Sequence, residues 1–147
     1  YDQGKLDGQI LTASEKRGMN LFFGDKAKCS LCHSGFNFTN NEYMNNGSHS
    51  VYIDTGRARI TLQHMDQGKF RVPSLRNVAV TKPYMHDGSY KDLWAVLGNY
   101  QNGGSGHWNQ NFIVNEISFS NQEKKELREF LRTLTDEKFL SNDSYVY

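Results

Sequence analysis

The chain has 147 residues with 17 Lys plus Arg against 16 Asp plus Glu, a length that suits one core of ordinary size and a charge balance with no basic surplus for nucleic acid. No apolar run nears the roughly 20 residues of a membrane span, and the opening YDQGKLDGQ lacks the basic-then-apolar grammar of a secretory signal. The expectation is a single soluble domain over 1–147, with no membrane span, no nucleic-acid partner and any export signal removed. Phe and Tyr number 9 and 8 and Gly 13, so polar loops should surround a small aromatic core that a bulky apolar cofactor would complete.

In chain order, Thr12 with Glu15 forms a capping box, Met19, Phe22 and Phe23 fall on one helical face, and Gly24 is placed to stop the helix. A first helix over 12–23 is predicted. Cys29-Ser30-Leu31-Cys32-His33 follows one turn later. Residues 37–70 lack sustained periodicity and read as loop, with Val51 to Ile53 or Arg59 to Leu62 as short strands at most. Ser89 with Asp92 opens a second helix whose Leu93, Val96, Leu97 and Tyr100 share a face before Gly103 and Gly104. Ser120 with Glu123 caps a third, striped by Leu127, Phe130, Leu131 and Leu134 and running to about Thr135. The fold class is all-α with long loops.

The two cysteines are the only ones in the chain, and their CxxCH pattern is that of covalent haem attachment. One short turn spaces the sulfurs to meet two vinyl groups, and the next imidazole, His33, is held beneath the iron. A thioredoxin-like CxxC belongs in a βαβ pattern, and zinc requires a second pair of Cys or His ligands. Neither context accompanies the motif, so one covalent haem c is the expected cofactor.

The segment FRVPSLRNVAVTKPYMHDGS from Phe70 to Ser89 resembles the signature of the bacterial di-haem cytochrome c peroxidase and MauG family, in its C-terminal haem domain. LTASEKRGMNLFFGDKAKCSLCHSGFNFTNN from Leu11, DTGR from Asp54, LGNYQNGG from Leu97 and FLRTLT in the last helix follow in family order. The resemblance implies a cytochrome c-like fold and a periplasmic location. It also implies a function in which this domain transfers electrons, or stores an oxidising equivalent, for reduction of hydrogen peroxide at a second haem. With one CxxCH, the chain resembles half of such a protein. Its implied partners are an N-terminal peroxidatic haem domain and a small redox donor such as cytochrome c, a cupredoxin or a quinol. The alternatives are a stand-alone mono-haem electron carrier with His/Met ligation, a direct peroxidase with His86 as the acid-base group, and a MauG-like oxidase of a partner protein.

In the family, the distal iron ligand follows the His of the YMHDG-like motif by about fourteen residues, Met in the peroxidases and Tyr in the MauG-like branch. The count from His86 reaches Tyr100, which also continues the apolar stripe of its helix. Met85 is the alternative ligand, while Met19 belongs to the apolar stripe of the first helix and Met44 and Met65 lie in loops with no pattern behind them. His86 is implied to lie beside the haem without ligating it, and His49, His64 and His107 read as solvated. Arg71 and Arg76 are candidates to pair with a haem propionate. Phe22, Phe36, Leu75, Tyr84 and Phe130 are candidates to wall the pocket. Trp94, off the apolar stripe, suits either an interface or partial exposure, and it and Trp108 are candidates to assist electron hopping. The resemblance further implies an interdomain calcium bound by backbone oxygens of Thr81 and Pro83.

Overall fold

The computed structural model describes Asp2 and residues 11–145. Helix α1, Ala13–Phe23, begins at the predicted box: Glu15 N–H donates to the Thr12 hydroxyl at 3.3 Å and Thr12 N–H to the Glu15 carboxylate at 2.6 Å. Four short elements follow: β1, Tyr43–Met44; α2, Ala58–Thr61; β2, Phe70–Arg71; and, after a long connection, α3, Leu93–Gln101. The one-turn α4, Ile113–Glu116, precedes α5, Asn121–Arg132, and a last turn, α6, Glu137–Leu140. α5 opens with a second complete capping box between Ser120 and Glu123.

α1 packs along α5, and α3 also rests on α5. Gly18 makes the first contact possible: a Cβ there would lie 1.9 Å from the Glu126 carbonyl oxygen, so only glycine lets the two backbones approach this closely. Phe22 of α1 meets Phe130 of α5 at 5.2 Å between ring centroids and Phe38 of the following loop at 5.8 Å. All three rings are buried, and such burial contributes about 2 kcal/mol per side chain.

Three details depart from the sequence reading. The second helix is capped by Asp92, whose carboxylate accepts from Ala95 N–H at 2.8 Å, and not by Ser89; the turn ahead of it is held by a bridge between Tyr84 and Tyr90. The third helix ends at Arg132 because Thr133 turns its hydroxyl back onto the Phe130 carbonyl at 2.7 Å. Among the described residues the strands are β1 and β2, paired antiparallel with Tyr43 opposite Arg71 and Met44 opposite Phe70. Val51 to Ile53 is irregular, and Arg59 to Leu62 lies in and just after α2. No described helix is long and apolar enough to cross a membrane.

Candidate functional site

The helices and loops enclose a cavity of about 420 Å³, within the range of cofactor and ligand pockets. The three longest helices each supply part of its wall: Phe22 from α1, Leu93, Val96, Leu97 and Tyr100 from α3, and Leu127 and Leu131 from α5. The CxxCH turn, residues between Met44 and Ser48, Phe70 to Leu75 and residues between Thr81 and His86, together with Ile113 and Val114 of α4 and Ile117 and Phe119 after it, add to the wall, mostly with apolar atoms apart from those of Asn45, Asn46 and Ser48.

Cys29, Cys32 and His33 all face this space. Cys29–Leu31 forms a single 3-10 turn in which Cys32 N–H and His33 N–H both donate to the Cys29 carbonyl, at 3.3 and 2.8 Å, which puts both sulfurs and the ring on one side. The cysteines are not joined as a disulfide. Burial pushes the Cys29 thiol up to about 12 and raises Cys32 as well, so both stay protonated. A redox-active CxxC has a depressed thiol, and this pair has the opposite character. His33 Nδ1 lies 3.1 Å from the Phe38 carbonyl, a contact that fixes the proton on Nδ1 and leaves the Nε2 lone pair for a metal. Burial holds this imidazole below its usual value, hence neutral, against the opposing pull of the Phe38 and Pro73 carbonyls.

Tyr100 and Met85 converge on one residue. Asn46 Nδ2 donates to the Tyr100 hydroxyl and to Met85 Sδ, both at 3.3 Å. Burial pushes the Tyr100 phenol up to about 12, so its anion forms in this cavity only beside a compensating cation. Met85 sits at φ +71°, an uncommon conformation for a side chain of its size. Met44 also lines the cavity, with Sδ 3.8 Å from Cys32 Sγ and 3.0 Å from Asn111 Nδ2. Asn46 was not among the sequence candidates and Met44 reads from the sequence only as a loop residue without a pattern, because each is placed by a non-local pairing.

Of the remaining candidates, Phe22, Leu75, Tyr84, Arg71, Thr81, Pro83 and His86 line the cavity. Arg71 keeps an exposed guanidinium whose Nη1 donates to Asn41 Oδ1 at 2.7 Å. Arg76 lies outside the lining: it forks onto the Phe36 carbonyl at 3.0 and 2.7 Å, pairs with Asp2 and covers the Phe36 ring. Phe36 is 80% exposed, and Phe130 belongs to the packed core between α1 and α5, so neither walls the cavity. His107 is buried and bonded to Asn45 Nδ2 at 3.0 Å, whereas a solvated ring was expected; their pairing spans 62 positions and leaves no local trace. His49 is half-buried beside Asp87. His64 is exposed and stacks on the half-exposed Trp108 at 4.4 Å. Trp94 lies under Lys124, whose Nζ is 4.2 Å from the ring.

A flat apolar macrocycle with a metal centre fits this donor set: two neutral thiols and a neutral imidazole on one turn, a phenol and a thioether elsewhere on the wall, and apolar sides. No family model matches the chain. The methylamine utilization protein MauG of Methylorubrum extorquens is 35% identical over 140 residues, 93% of this chain and 39% of that protein. The cytochrome c551 peroxidase of Pseudomonas aeruginosa is 38% identical over 109 residues, 67% of this chain and 31% of that protein. A solved MauG-like protein associated with microbial copper homeostasis superposes with a TM-score of 0.92 at 33% identity, covering 99% of this chain and 54% of the other. The chain belongs to the MauG and di-haem cytochrome c peroxidase family. Within that family it matches the C-terminal haem domain, and its cofactor is haem c. The di-haem peroxidase BthA of Burkholderia thailandensis shares the fold at a TM-score of 0.80 and 23% identity. The chain spans less than half the length of the curated MauG and peroxidase relatives it matches.

Proposed function

We propose that this chain is an electron-handling haem c domain, working for a di-haem protein that reduces hydrogen peroxide. The observation that carries the reading is the convergence of Cys29, Cys32, His33 and Tyr100 on one apolar cavity. Cys29 and Cys32 would hold the macrocycle to the 3-10 turn through thioethers, each thiol adding across one vinyl group. His33 Nε2 would hold the iron, its ring oriented by the Phe38 carbonyl. Tyr100, held by Asn46, would supply a second iron ligand, with Met85 as the alternative at the same amide. The bound haem supplies one-electron redox chemistry, and a phenolate ligand favours its more oxidised states.

The apolar side chains of α1, α3 and α5 would shield a bound macrocycle from water, and the exposed Arg71 in the lining is the available partner for a propionate. Thr81 and Pro83 line the same rim and would offer backbone oxygens to a calcium ion shared with a second haem domain. A small donor, a cytochrome c, cupredoxin or quinol, would deliver electrons, and a periplasmic location accords with thioether haem attachment. With His33 and Tyr100 both available to hold the iron, the chain's own side chains would leave peroxide no direct seat there. A stopped-flow experiment on the haem-loaded chain tests this. Reversible one-electron reduction with only slow loss of peroxide is expected. Rapid multiple turnover of peroxide by this chain alone would overturn it, and its abolition in His86→Ala would then make His86 the acid-base group.

A further inference from the structure

His49, His86 and Asp87 have no part in holding the macrocycle in the reading above. They offer two imidazoles and a carboxylate whose ligand atoms all lie within 4.8 Å of one another. We propose that these three side chains bind a divalent transition-metal ion of the zinc or copper(II) class, forming a second metal site at the rim of the haem cavity.

The two loops that carry the trio are tied together. The Tyr90 hydroxyl lies within hydrogen-bond reach of the Ser48 carbonyl, at 3.2 Å, and of Asn99 Oδ1, at 3.1 Å, and Tyr90 bridges Tyr84 to close the turn bearing His86 and Asp87. His86 stacks on Phe70 at 3.9 Å and meets the His49 ring edge-on at 5.5 Å. Asp87 Oδ1 holds Ser89 N–H at 3.1 Å. Its other oxygen, Oδ2, faces His49 Nε2 at 3.0 Å.

That last contact is the informative one. His49 Nε2 is buried and, despite the short distance, makes no hydrogen bond of acceptable geometry with Asp87 or any other described group. A buried polar atom without an aligned partner calls for an explanation, and an ion is one of the standard ones. A cation coordinated by Nε2 and Oδ2 together would satisfy both atoms where a proton between them does not. Metal–ligand bonds of about 2.0–2.2 Å require donor separations of about 3–4 Å, so the site closes with a small rotation of the exposed His86 ring.

The donor chemistry selects the ion. Calcium and magnesium prefer all-oxygen shells, whereas two imidazoles with one carboxylate suit zinc and copper(II). Three protein donors leave a position for water or another ligand, and the exposure of His86 and Asp87 gives the ion a way in. His86 also lines the haem cavity, so charge bound here lies beside the macrocycle's edge.

Isothermal titration of the haem-loaded chain with zinc chloride tests the site. One zinc ion per chain is expected, weakened at least about tenfold by His49→Ala and by Asp87→Asn and unchanged by His64→Ala. Asp87→Asn preserves both rings and the side-chain volume, so its affinity decides the matter if His49→Ala loses its haem absorption. Copper(II) added to the wild-type chain should show nitrogen coupling in its electron paramagnetic resonance spectrum. No zinc uptake by the wild type, full affinity in Asp87→Asn, or an oxygen-only copper spectrum would overturn the proposal.

Discussion

Asn46 holds the two side chains proposed as rival iron ligands with one amide, so the choice between them is a matter of single side chains. Tyr100→Phe keeps the ring that packs in α3 and removes only the oxygen. It is expected to abolish the phenolate-to-iron absorption of the ferric protein, while Met85→Leu leaves that absorption in place; a sulfur-to-iron band in the ferric wild type that survives Tyr100→Phe and is lost in Met85→Leu would assign the ligand to Met85. That Tyr100 faces the cavity was legible because the family resemblance counts to it from His86 and it repeats the helical spacing of Leu93, Val96 and Leu97, which are local facts. Asn46 and His107 were not, since their environments are built by partners 54 and 62 positions away. Arg76 illustrates the converse: its charge and place beside Pro73 suited a propionate, but its donors are spent on the Phe36 carbonyl and Asp2.

At the scale of elements, the contact of α1 with α5 carries the architecture. Gly18→Ala would drive a methyl into the Glu126 backbone, and a loss of about 2 kcal/mol is expected, read as a fall of roughly 4–8 °C in the thermal midpoint. An unchanged midpoint would show that the helices do not meet as described. The same interface holds a pH-dependent pair. Hydrogen bonds from Arg17 and Gln122 and the Arg17 charge hold the Glu126 carboxyl below its usual value of 4.5, against the opposing cost of burial. Its stabilising contribution is therefore complete above about 4.5 and lost as pH falls through the lower folded-state value. Acid titration of Glu126→Gln should show a shallower stability loss in that window than the wild type, and a curve of equal slope would contradict the assignment. Both complete capping boxes were legible because a cap is written within four residues. The start of α3 was misplaced by three residues because Ser89 and Asp92 are both competent caps, and the bridge from Tyr84 to Tyr90, a tertiary fact, decides for Asp92.

At the scale of the whole molecule, the three longest described helices and a set of long loops are organised around one apolar space. Its apolar lining is fully covered only when the macrocycle is bound, so a coupling between haem attachment and folding is expected. The double variant Cys29→Ala, Cys32→Ala, expressed without covalent haem, is expected to lose cooperative thermal unfolding by circular dichroism, whereas a melt matching the wild type would contradict the coupling. The measurement that bears most directly on the central claim is acid-acetone extraction of the purified coloured chain, followed by mass analysis of the peptide containing Cys29 to His33. The account predicts that the pigment stays with the protein and that this peptide carries one haem through both sulfurs; pigment that leaves with the solvent, or a peptide with two free thiols, would contradict it.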